Sequence, residues 1–151
     1  MTDVVSKEVR SRMMSGIKSK NTKPEIMIRR GLHKQGYRYR LHDHQLPGKP
    51  DLVFSRHKAI IFVNGCFWHG HDCLLFKWPS SREEFWKTKI SRNQDLDSKN
   101  IIELQQLNWR IAIIWECALK GKLRLKLEVV IDKCATWIIS DVPFMEVFGH
   151  M

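Results

Sequence analysis

The spacing of hydrophobic residues divides the chain into short apolar runs and longer periodic stretches, which predict strands and helices respectively. Residues 50–54 and 59–63 are short runs bounded by turn residues, and residues 110–117 form a third run. All three are typical of buried strands. Residues 37–41 alternate tyrosine with arginine, which predicts a strand with one apolar and one basic face. Residues 42–50 are predicted to be a loop that leads into the second strand.

Two stretches have the spacing of well-defined helices. Thr22 and Glu25 stand three residues apart, as in a capping box, and predict a helix that runs to Gln35. Ser81 and Glu84 repeat this spacing and predict the start of a long helix. The positions predicted to form its apolar face are Phe85, Ile90, Leu96, Ile101, Leu104 and Leu107.

The order of these elements predicts an α/β fold, a mixed central sheet flanked by helices on both faces. A closing amphipathic helix is predicted over residues 123–139, whereas residues 140–151 show no pattern. The chain has 151 residues, of which 43% are hydrophobic, which is enough for one domain with a real core. The longest apolar runs, residues 59–63 and 111–115, are too short to cross a bilayer, so no membrane role is expected.

Charge points to a polyanionic partner. Lys and Arg number 26 against 16 Asp and Glu, a formal net charge of +10, which favours nucleic acid first and a membrane surface second. Residues 1–21 are predicted to be a basic arm that orders on DNA, with residues 22–151 as a single domain. A frayed basic terminus is the alternative. The residues of the arm that we expect to meet phosphates are Arg10, Arg12 and Lys18.

The cysteines predict a metal site rather than disulfides. Cys66, Cys73 and Cys117, with a nearby histidine, supply a sufficient tetrahedral ligand set for Zn²⁺. The spacing alone allows either His69 or His71 to be the fourth ligand. The alternative is a set of buried, inert cysteines. Uneven cysteine spacing and the lack of an apolar signal segment predict a reducing cytoplasm.

Other candidate residues surround this cluster in the sequence. Asp51 follows a proline at the start of a strand, where a carboxylate is either a turn residue or a metal ligand. Phe67 and Trp68 lie in the cysteine-rich loop. Large aromatic rings are usually core residues, but this loop is a poor place to bury them, and exposed rings on a basic protein can stack on bases. A second stripe of the long helix consists of Trp86, Lys89 and Asn93. These residues are either solvated surface or part of the same functional site as the cysteine-rich loop.

These segments together resemble the very-short-patch-repair (Vsr) DNA mismatch endonucleases. The matching segments are residues 50–51, 62–69, 85–93 and 115–117. The resemblance implies a restriction-endonuclease-like fold and Mg²⁺-dependent nicking of one DNA strand, 5′ to the T of a T:G mismatch left by deamination of 5-methylcytosine. It also implies a monomer that is linked functionally to a DNA cytosine-5 methyltransferase and is associated with the nucleoid.

The resemblance further implies roles for individual residues. Asp51 and the backbone carbonyl of Val63 match the magnesium ligands, His69 matches the catalytic histidine, and Glu25 matches an acid that supports the metal-bound water. The structural zinc ligands are matched by Cys66, His71, Cys73 and Cys117. The residues that match the aromatic wedge and its surroundings at the mismatch are Phe67, Trp68, Trp86, Met14, Lys89 and Asn93.

The sequence also departs from related patterns. Many nucleases of this fold carry a Glu-x-Lys pair where residues 62–64 read Phe-Val-Asn. Some members of the family have a histidine in place of Asn64, and asparagine cannot carry a proton at neutral pH, so His69 is expected to act alone. Two alternatives follow: a sequence-specific restriction-type endonuclease that cuts both strands, or a non-catalytic, zinc-stabilised DNA-binding protein.

Overall fold

The computed structural model describes residues 21–150. Within this range, a five-stranded sheet is flanked by three α-helices. The elements are α1 (Lys23–Lys34), β1 (Arg40–Leu41), β2 (Leu52–Phe54), β3 (Ala59–Asn64), α2 (Glu83–Gln106), β4 (Arg110–Trp115), α3 (Leu127–Ile138) and β5 (Phe144–Val147). None of the described helices is both long and apolar enough to span a membrane. The predicted contacts at Arg10, Arg12, Met14 and Lys18 lie outside the described residues.

The sheet is mixed, as predicted. Its strands lie in the order β1-β2-β3-β4-β5. The first three form an antiparallel meander, and β3, β4 and β5 run parallel. Parallel neighbours require crossover connections, which α2 supplies between β3 and β4 and α3 supplies between β4 and β5. The carboxyl ends of β3 and β4 therefore meet at the same edge of the sheet.

Helices cover both faces of the sheet and give three layers. On one face, α1 and α3 pack against β2, β3 and β4 through buried side chains such as Ile28, Ile61 and Ile131. On the other face, Leu104 of α2 packs against Ile60 and the alternate residues of β4. Successive strand residues point to opposite faces, so burial on both sides explains the continuously apolar runs of β3 and β4.

The predicted start and apolar face of α2 are wrong in part. The helix begins at Glu83, and the preceding Arg82 adopts a left-handed conformation (φ 56°) with its guanidinium 4.2 Å above the Phe85 ring, so Ser81 is not the cap. Of the six predicted apolar positions, Ile90 and Leu104 are buried. A helix of this length extends about 36 Å, whereas a six-residue strand spans about 20 Å, so much of α2 projects beyond the sheet.

Smaller corrections concern the edges of the sheet. The strand predicted over residues 37–41 is limited to β1. Tyr37 and Tyr39 still pack against the core, and the arginine that follows each of them is exposed. The last helix begins at Leu127 rather than at residue 123. The tail, which shows no pattern in the sequence, contains β5, a short edge strand with one fully buried residue.

The corrected face of α2 can be tested with two matched substitutions. Leu104 is 0% exposed and Leu96 is 55% exposed, although the sequence pattern places both on one apolar face. Leu104→Ala should lower the free energy of unfolding by about 2–5 kcal/mol, because it leaves a cavity. Leu96→Ala should change it by less than about 0.5 kcal/mol. Urea titrations of both variants measure the difference, and equal losses would contradict the observed packing.

Candidate active site and metal centre

Asp51 lies at the edge of the sheet where β2 begins. One carboxylate oxygen, Oδ2, accepts a hydrogen bond from the backbone N–H of Val63 at 2.7 Å. Because β2 and β3 are antiparallel, the start of β2 meets the end of β3, which brings these two residues together. The proline before Asp51 favours an extended backbone and helps to fix the position of the carboxylate.

A second carboxylate, Glu25 of α1, stands beside Asp51. Its side chain is 1% exposed. Oε2 lies 2.8 Å from Arg29 Nη1 and 2.8 Å from His42 Nε2, and Oε1 accepts the backbone N–H of Asn21 at 3.1 Å. These partners satisfy a buried charge that would otherwise be costly. One ligand-type atom from each of Glu25, His42 and Asp51 lies within 4.8 Å of the other two, so this group can hold a metal ion.

Burial and a neighbouring carboxylate change the acidity of Asp51. Burial, the largest cause, acts together with the Glu25 carboxylate and against the opposing Val63 N–H, and the net effect raises the pKa of Asp51 from 3.8 to about 7. A cation placed between the two side chains would favour the ionised form of both. Oxygen ligands of this kind suit a hard divalent cation.

A histidine–carboxylate pair stands in the same cleft. His69 Nδ1 lies 2.5 Å from Asp97 Oδ2 of α2. When the carboxylate accepts the Nδ1 proton, Nε2 is left available for proton transfer. Asp51, His69, Asp97 and His42 all line one cavity of about 400 Å³. The cleft therefore combines a metal-binding carboxylate pair with an oriented imidazole.

The cysteine cluster forms a separate centre at the carboxyl ends of β3 and β4. Cys66 follows β3 and Cys117 follows β4, and the Sγ atom of each lies 3.6 Å from Nδ1 of His71. The Sγ atom of Cys73 completes a set of four ligand atoms within 4.8 Å of one another. Distances of about 3.5 Å are expected between ligands that lie about 2.0–2.3 Å from a tetrahedral ion. The structure brings His71, rather than His69, to the thiols.

The protonation states of this cluster depend on a cation. Burial, together with the neighbouring Cys73 thiol, raises the pKa of both Cys66 and Cys117. Burial lowers the pKa of His71, which keeps its imidazole neutral. A bound dication reverses the preference of the thiols and makes them thiolates. The ring of His71 is held parallel to Trp115, with centroids 4.1 Å apart.

The C-terminal tail contributes to this centre. The backbone N–H of Gly149 donates to Cys117 Sγ at 3.4 Å, and that of Cys117 donates to Cys66 Sγ at 3.3 Å. A Cβ atom at Gly149 would lie 2.6 Å from the carbonyl oxygen of Cys117, so only glycine allows this approach. The tail thus closes the metal centre.

Aromatic residues form a cluster beside the cleft. The centroid of Phe67 lies 5.3 Å from those of both Trp68 and Trp86, and the two tryptophans are 5.7 Å apart. The rings are half-buried against one another rather than freely exposed. Asn93 Nδ2 donates to the carbonyl of Trp68 at 2.9 Å, and Lys89 is exposed nearby. A cavity of about 810 Å³ adjoins the cluster, and its lining includes Phe67, Trp68, Lys89 and Asn93.

Two residues of the cleft, Asp97 and His42, are absent from the sequence prediction. Asp97 follows Asn93 by one helical turn, so the stripe that contains Trp86 and Asn93 already pointed to it. His42 lies in the predicted loop and has no comparable signal, because its partner Glu25 belongs to a helix that precedes it in the chain. A mixed sheet with a carboxylate pair able to bind a metal ion and an oriented histidine at its edge is typical of a metal-dependent nuclease.

Comparison with known proteins identifies the family. A family model described as DNA mismatch endonuclease Vsr matches residues 2–75. DNA mismatch endonuclease Vsr of Escherichia coli (strain K12) is 42% identical over 141 residues, which cover 93% of this chain and 90% of that protein. Type II nicking enzyme V.XorIIP of Xanthomonas oryzae pv. oryzae is 43% identical over 134 residues, with 87% and 98% covered. Type II nicking enzyme V.HpaIIP of Haemophilus parainfluenzae is 36% identical over 138 residues.

The chain belongs to the Vsr DNA mismatch endonuclease family. The resemblance seen in the sequence is therefore confirmed, as are the restriction-endonuclease-like α/β fold and the nuclease class. The family implies a DNA substrate and a divalent metal. The Cys and His cluster is, in addition, a possible metal site of a different kind.

The cysteine cluster can be tested by comparing two buried cysteines. Elemental analysis should find one tightly bound transition-metal ion per chain. Cys117→Ala should lose this ion, whereas Cys134→Ala, which alters a buried cysteine on the core-facing side of α3, should keep it. Structural zinc contributes roughly 10–16 kcal/mol in small peptides, against about 5–15 kcal/mol for the stability of a whole domain. Cys117→Ala should therefore melt far below Cys134→Ala, and equal metal content and melting would contradict the site.

Cation binding at Asp51 should depend on pH. The raised pKa of Asp51 contributes to the stability of the metal-free fold, because the folded chain retains a proton that the unfolded chain releases. This contribution is fully present below about pH 4 and is lost as the pH rises through about 7. A divalent cation must displace that proton, so its affinity should rise about tenfold per pH unit below 7 and level off above it. Calorimetric titration of Mg²⁺ between pH 5.5 and 8.5 measures the slope. Asp51→Asn should remove the slope, and a flat wild-type profile would contradict the shift.

Proposed function

We propose that the protein nicks one strand of duplex DNA, 5′ to the mispaired T of a T:G mismatch, by Mg²⁺-dependent hydrolysis of a phosphodiester bond. The observation that carries the proposal is the shared cleft, in which Asp51 and His69 line one cavity beside the aromatic cluster. Membership of the family of mismatch endonucleases supports the choice of substrate.

Asp51 and the carbonyl of Val63 would hold the magnesium ion. The Val63 N–H points to Asp51, and the N–H and C=O of one residue in an antiparallel strand point to the same side, so the carbonyl faces the site as well. The ion, when bound, acts as a Lewis acid on the scissile phosphate and lowers the pKa of water. Glu25, held by Arg29 and His42, would accept a hydrogen bond from water beside it.

His69 would move the proton in the reaction. Asp97 holds its Nδ1, so Nε2 can exchange a proton with the attacking water or with the leaving oxygen. Asn64, which also lines the cleft, offers an amide that cannot take this role. Such general acid–base catalysis contributes typically about 10²–10⁴-fold to the rate.

The ion in the cysteine cluster would be zinc. Three thiolates and one imidazole in a closed tetrahedral set are typical of structural zinc sites. The proposed ligands are Cys66, His71, Cys73 and Cys117. Zinc would fix the loop that carries Phe67, Trp68 and His69, so it would support catalysis without contacting the substrate.

The aromatic cluster would serve as the wedge that opens the duplex. Its rings now pack on one another, and insertion would exchange ring contacts for stacking on bases. Unstacking a base step costs a few kcal/mol, least at a mismatch, whereas stacking returns about 1–3 kcal/mol per base. Lys89 and Asn93 would lie near the mispaired bases. The basic arm, residues 1–21, with Arg10, Arg12 and Lys18, would contact phosphates while Met14 approaches the mismatch.

The cellular setting follows from this chemistry. One active site is sufficient for a cut in one strand, so we infer a monomer. T:G mismatches that arise from 5-methylcytosine link the enzyme to a DNA cytosine-5 methyltransferase. It would act in the cytoplasm, on the nucleoid. Cleavage of both strands of paired DNA, the restriction-type alternative, would require a second cut that a single cleft does not provide.

Asp51→Asn should abolish nicking and preserve binding to T:G DNA, because it removes the metal-binding charge with little change of volume. The loss of cleavage should exceed about a hundredfold. Asp132→Asn, at an exposed position of α3, is the matched control and should cleave normally. A gel assay on an end-labelled T:G duplex measures cleavage, and fluorescence anisotropy measures affinity. Undiminished cleavage by Asp51→Asn would remove this residue from the active site.

Trp68→Ala should weaken binding to a T:G duplex by about 1–3 kcal/mol, some five- to a hundredfold, because one base loses its stacking partner. Binding to a fully paired duplex should change little. Trp109→Ala provides the control, since Trp109 lies at the opposite end of β4 against Lys58. Binding titrations with both duplexes compare the variants after circular dichroism has verified their folding. Equal losses on both duplexes would rule out a wedge at Trp68.

A further inference from the structure

The backbone places His42 directly against the proposed magnesium site. Its N–H donates to the carbonyl oxygen of Asp51 at 3.1 Å, which fixes the residue just beyond β1. Its φ of 49° lies in the left-handed region, which few residues other than glycine adopt. Conformations of this kind cluster at functional sites, where the surrounding structure holds them. The backbone therefore holds His42 beside Asp51.

The imidazole of His42 points into the group of carboxylates. Its side chain is 14% exposed, and Nε2 lies 2.8 Å from Glu25 Oε2. The ligand atoms of His42, Glu25 and Asp51 all lie within 4.8 Å of one another. In an octahedral shell with bonds of about 2.1 Å, adjacent ligands are about 3.0 Å apart and opposite ligands about 4.2 Å apart. The 2.8 Å between Nε2 of His42 and Oε2 of Glu25 matches adjacent ligands, and all three atoms are close enough to reach one ion after small side-chain adjustments.

A nitrogen ligand changes which metal the site prefers. Mg²⁺ strongly favours oxygen ligands, whereas imidazole raises affinity for first-row transition-metal ions. Ligation uses the lone pair of Nε2, so the proton that Nε2 shares with Glu25 in the metal-free molecule moves to Nδ1 or leaves. Arg29 remains paired with Glu25 and offsets part of the negative charge.

We propose that His42 is a direct ligand of the catalytic cation and makes the Asp51 site a mixed nitrogen–oxygen site, which binds a first-row transition-metal ion such as Mn²⁺ more tightly than Mg²⁺. The proposal rests on the proposed function in one respect, since it takes the Asp51 site as the metal site of the nuclease. It adds a protein ligand from the β1 edge and a preference among metals.

The test uses Mn²⁺ as the probe on full-length protein that retains the metal of its cysteine cluster. Electron spin-echo envelope modulation should detect ¹⁴N coupling from imidazole in the wild-type Mn²⁺ complex. His42→Gln, whose amide can still donate to Glu25, should remove the coupling and weaken Mn²⁺ binding by at least about tenfold, the usual scale for a disturbed metal environment. Mg²⁺ affinity, measured by competition, should change much less.

Matched controls separate ligation from other roles of histidine. His44→Gln alters an exposed histidine that lines the same cavity and should keep both the coupling and the affinity. Absence of ¹⁴N coupling in the wild type would overturn the proposal, and so would coupling that persists in His42→Gln, which would assign the nitrogen to another residue such as His69. Equal losses of Mn²⁺ and Mg²⁺ affinity would also contradict the proposal, because they would show that His42 positions Glu25 and does not itself bind the ion.

Failure of this proposal is distinguishable from failure of the proposed function. Nicking of T:G DNA by a protein whose Mn²⁺ complex lacks ¹⁴N coupling would overturn the ligand assignment alone. Coupling that depends on His42, in a protein that does not nick T:G DNA, would support the assignment and contradict the function. The spectrum of the wild type needs no variant, so the test stands even where His42→Gln folds poorly. His42→Asn then serves as a second variant.

Discussion

The cluster of Cys66, His71, Cys73 and Cys117 is the constraint on which the rest of the site depends. It joins the adjacent carboxyl ends of β3 and β4 and fixes the loop between β3 and α2, which has little apolar core of its own. Buried thiols with raised pKa values are stabilised as ligands only by a cation. The same loop carries His69 into the cleft and the aromatic rings to the neighbouring cavity. One ion bound in this cluster would therefore position both the proposed catalytic residue and the proposed recognition residues.

Two sites of opposite chemical character lie at the same edge of the sheet. The cysteine cluster offers soft thiolates and an imidazole in a closed set, whereas Asp51 and Glu25 offer hard carboxylate oxygens in an open cleft. These ligand sets favour different metals, so an ion bound in the cluster and an ion bound in the cleft would not be interchangeable. Burial first and the Glu25 carboxylate second raise the pKa of Asp51 to about 7, and a cation bound between the two carboxylates would oppose this shift.

The sequence predicts those parts of the molecule that local pattern determines. Burial on both faces makes β3 and β4 continuously apolar, and a capping box marks the start of α1. The pattern fails where tertiary structure decides: Leu96 is exposed because α2 extends past the sheet, and β5 is too short and too little buried to leave a signal. His42 meets a partner 17 residues away, and no local spacing predicts that contact. The helical stripe that contains Asn93 points to Asp97, but it does not identify the partner of Asp97, His69, which lies 28 residues away. Most of the predicted site residues come from the resemblance to a family rather than from local pattern.

Mapping the cut on both strands tests the account most directly. A duplex labelled on each strand in turn, either fully paired or with one T:G mismatch, is incubated with Mg²⁺ and with Mn²⁺. We expect one cut in the mismatched duplex, in the T strand on the 5′ side of the mispaired T, with the G strand and the paired duplex intact. Cuts in both strands of paired DNA would contradict the account and favour a restriction-type enzyme, and an intact mismatched duplex with either metal would contradict catalysis.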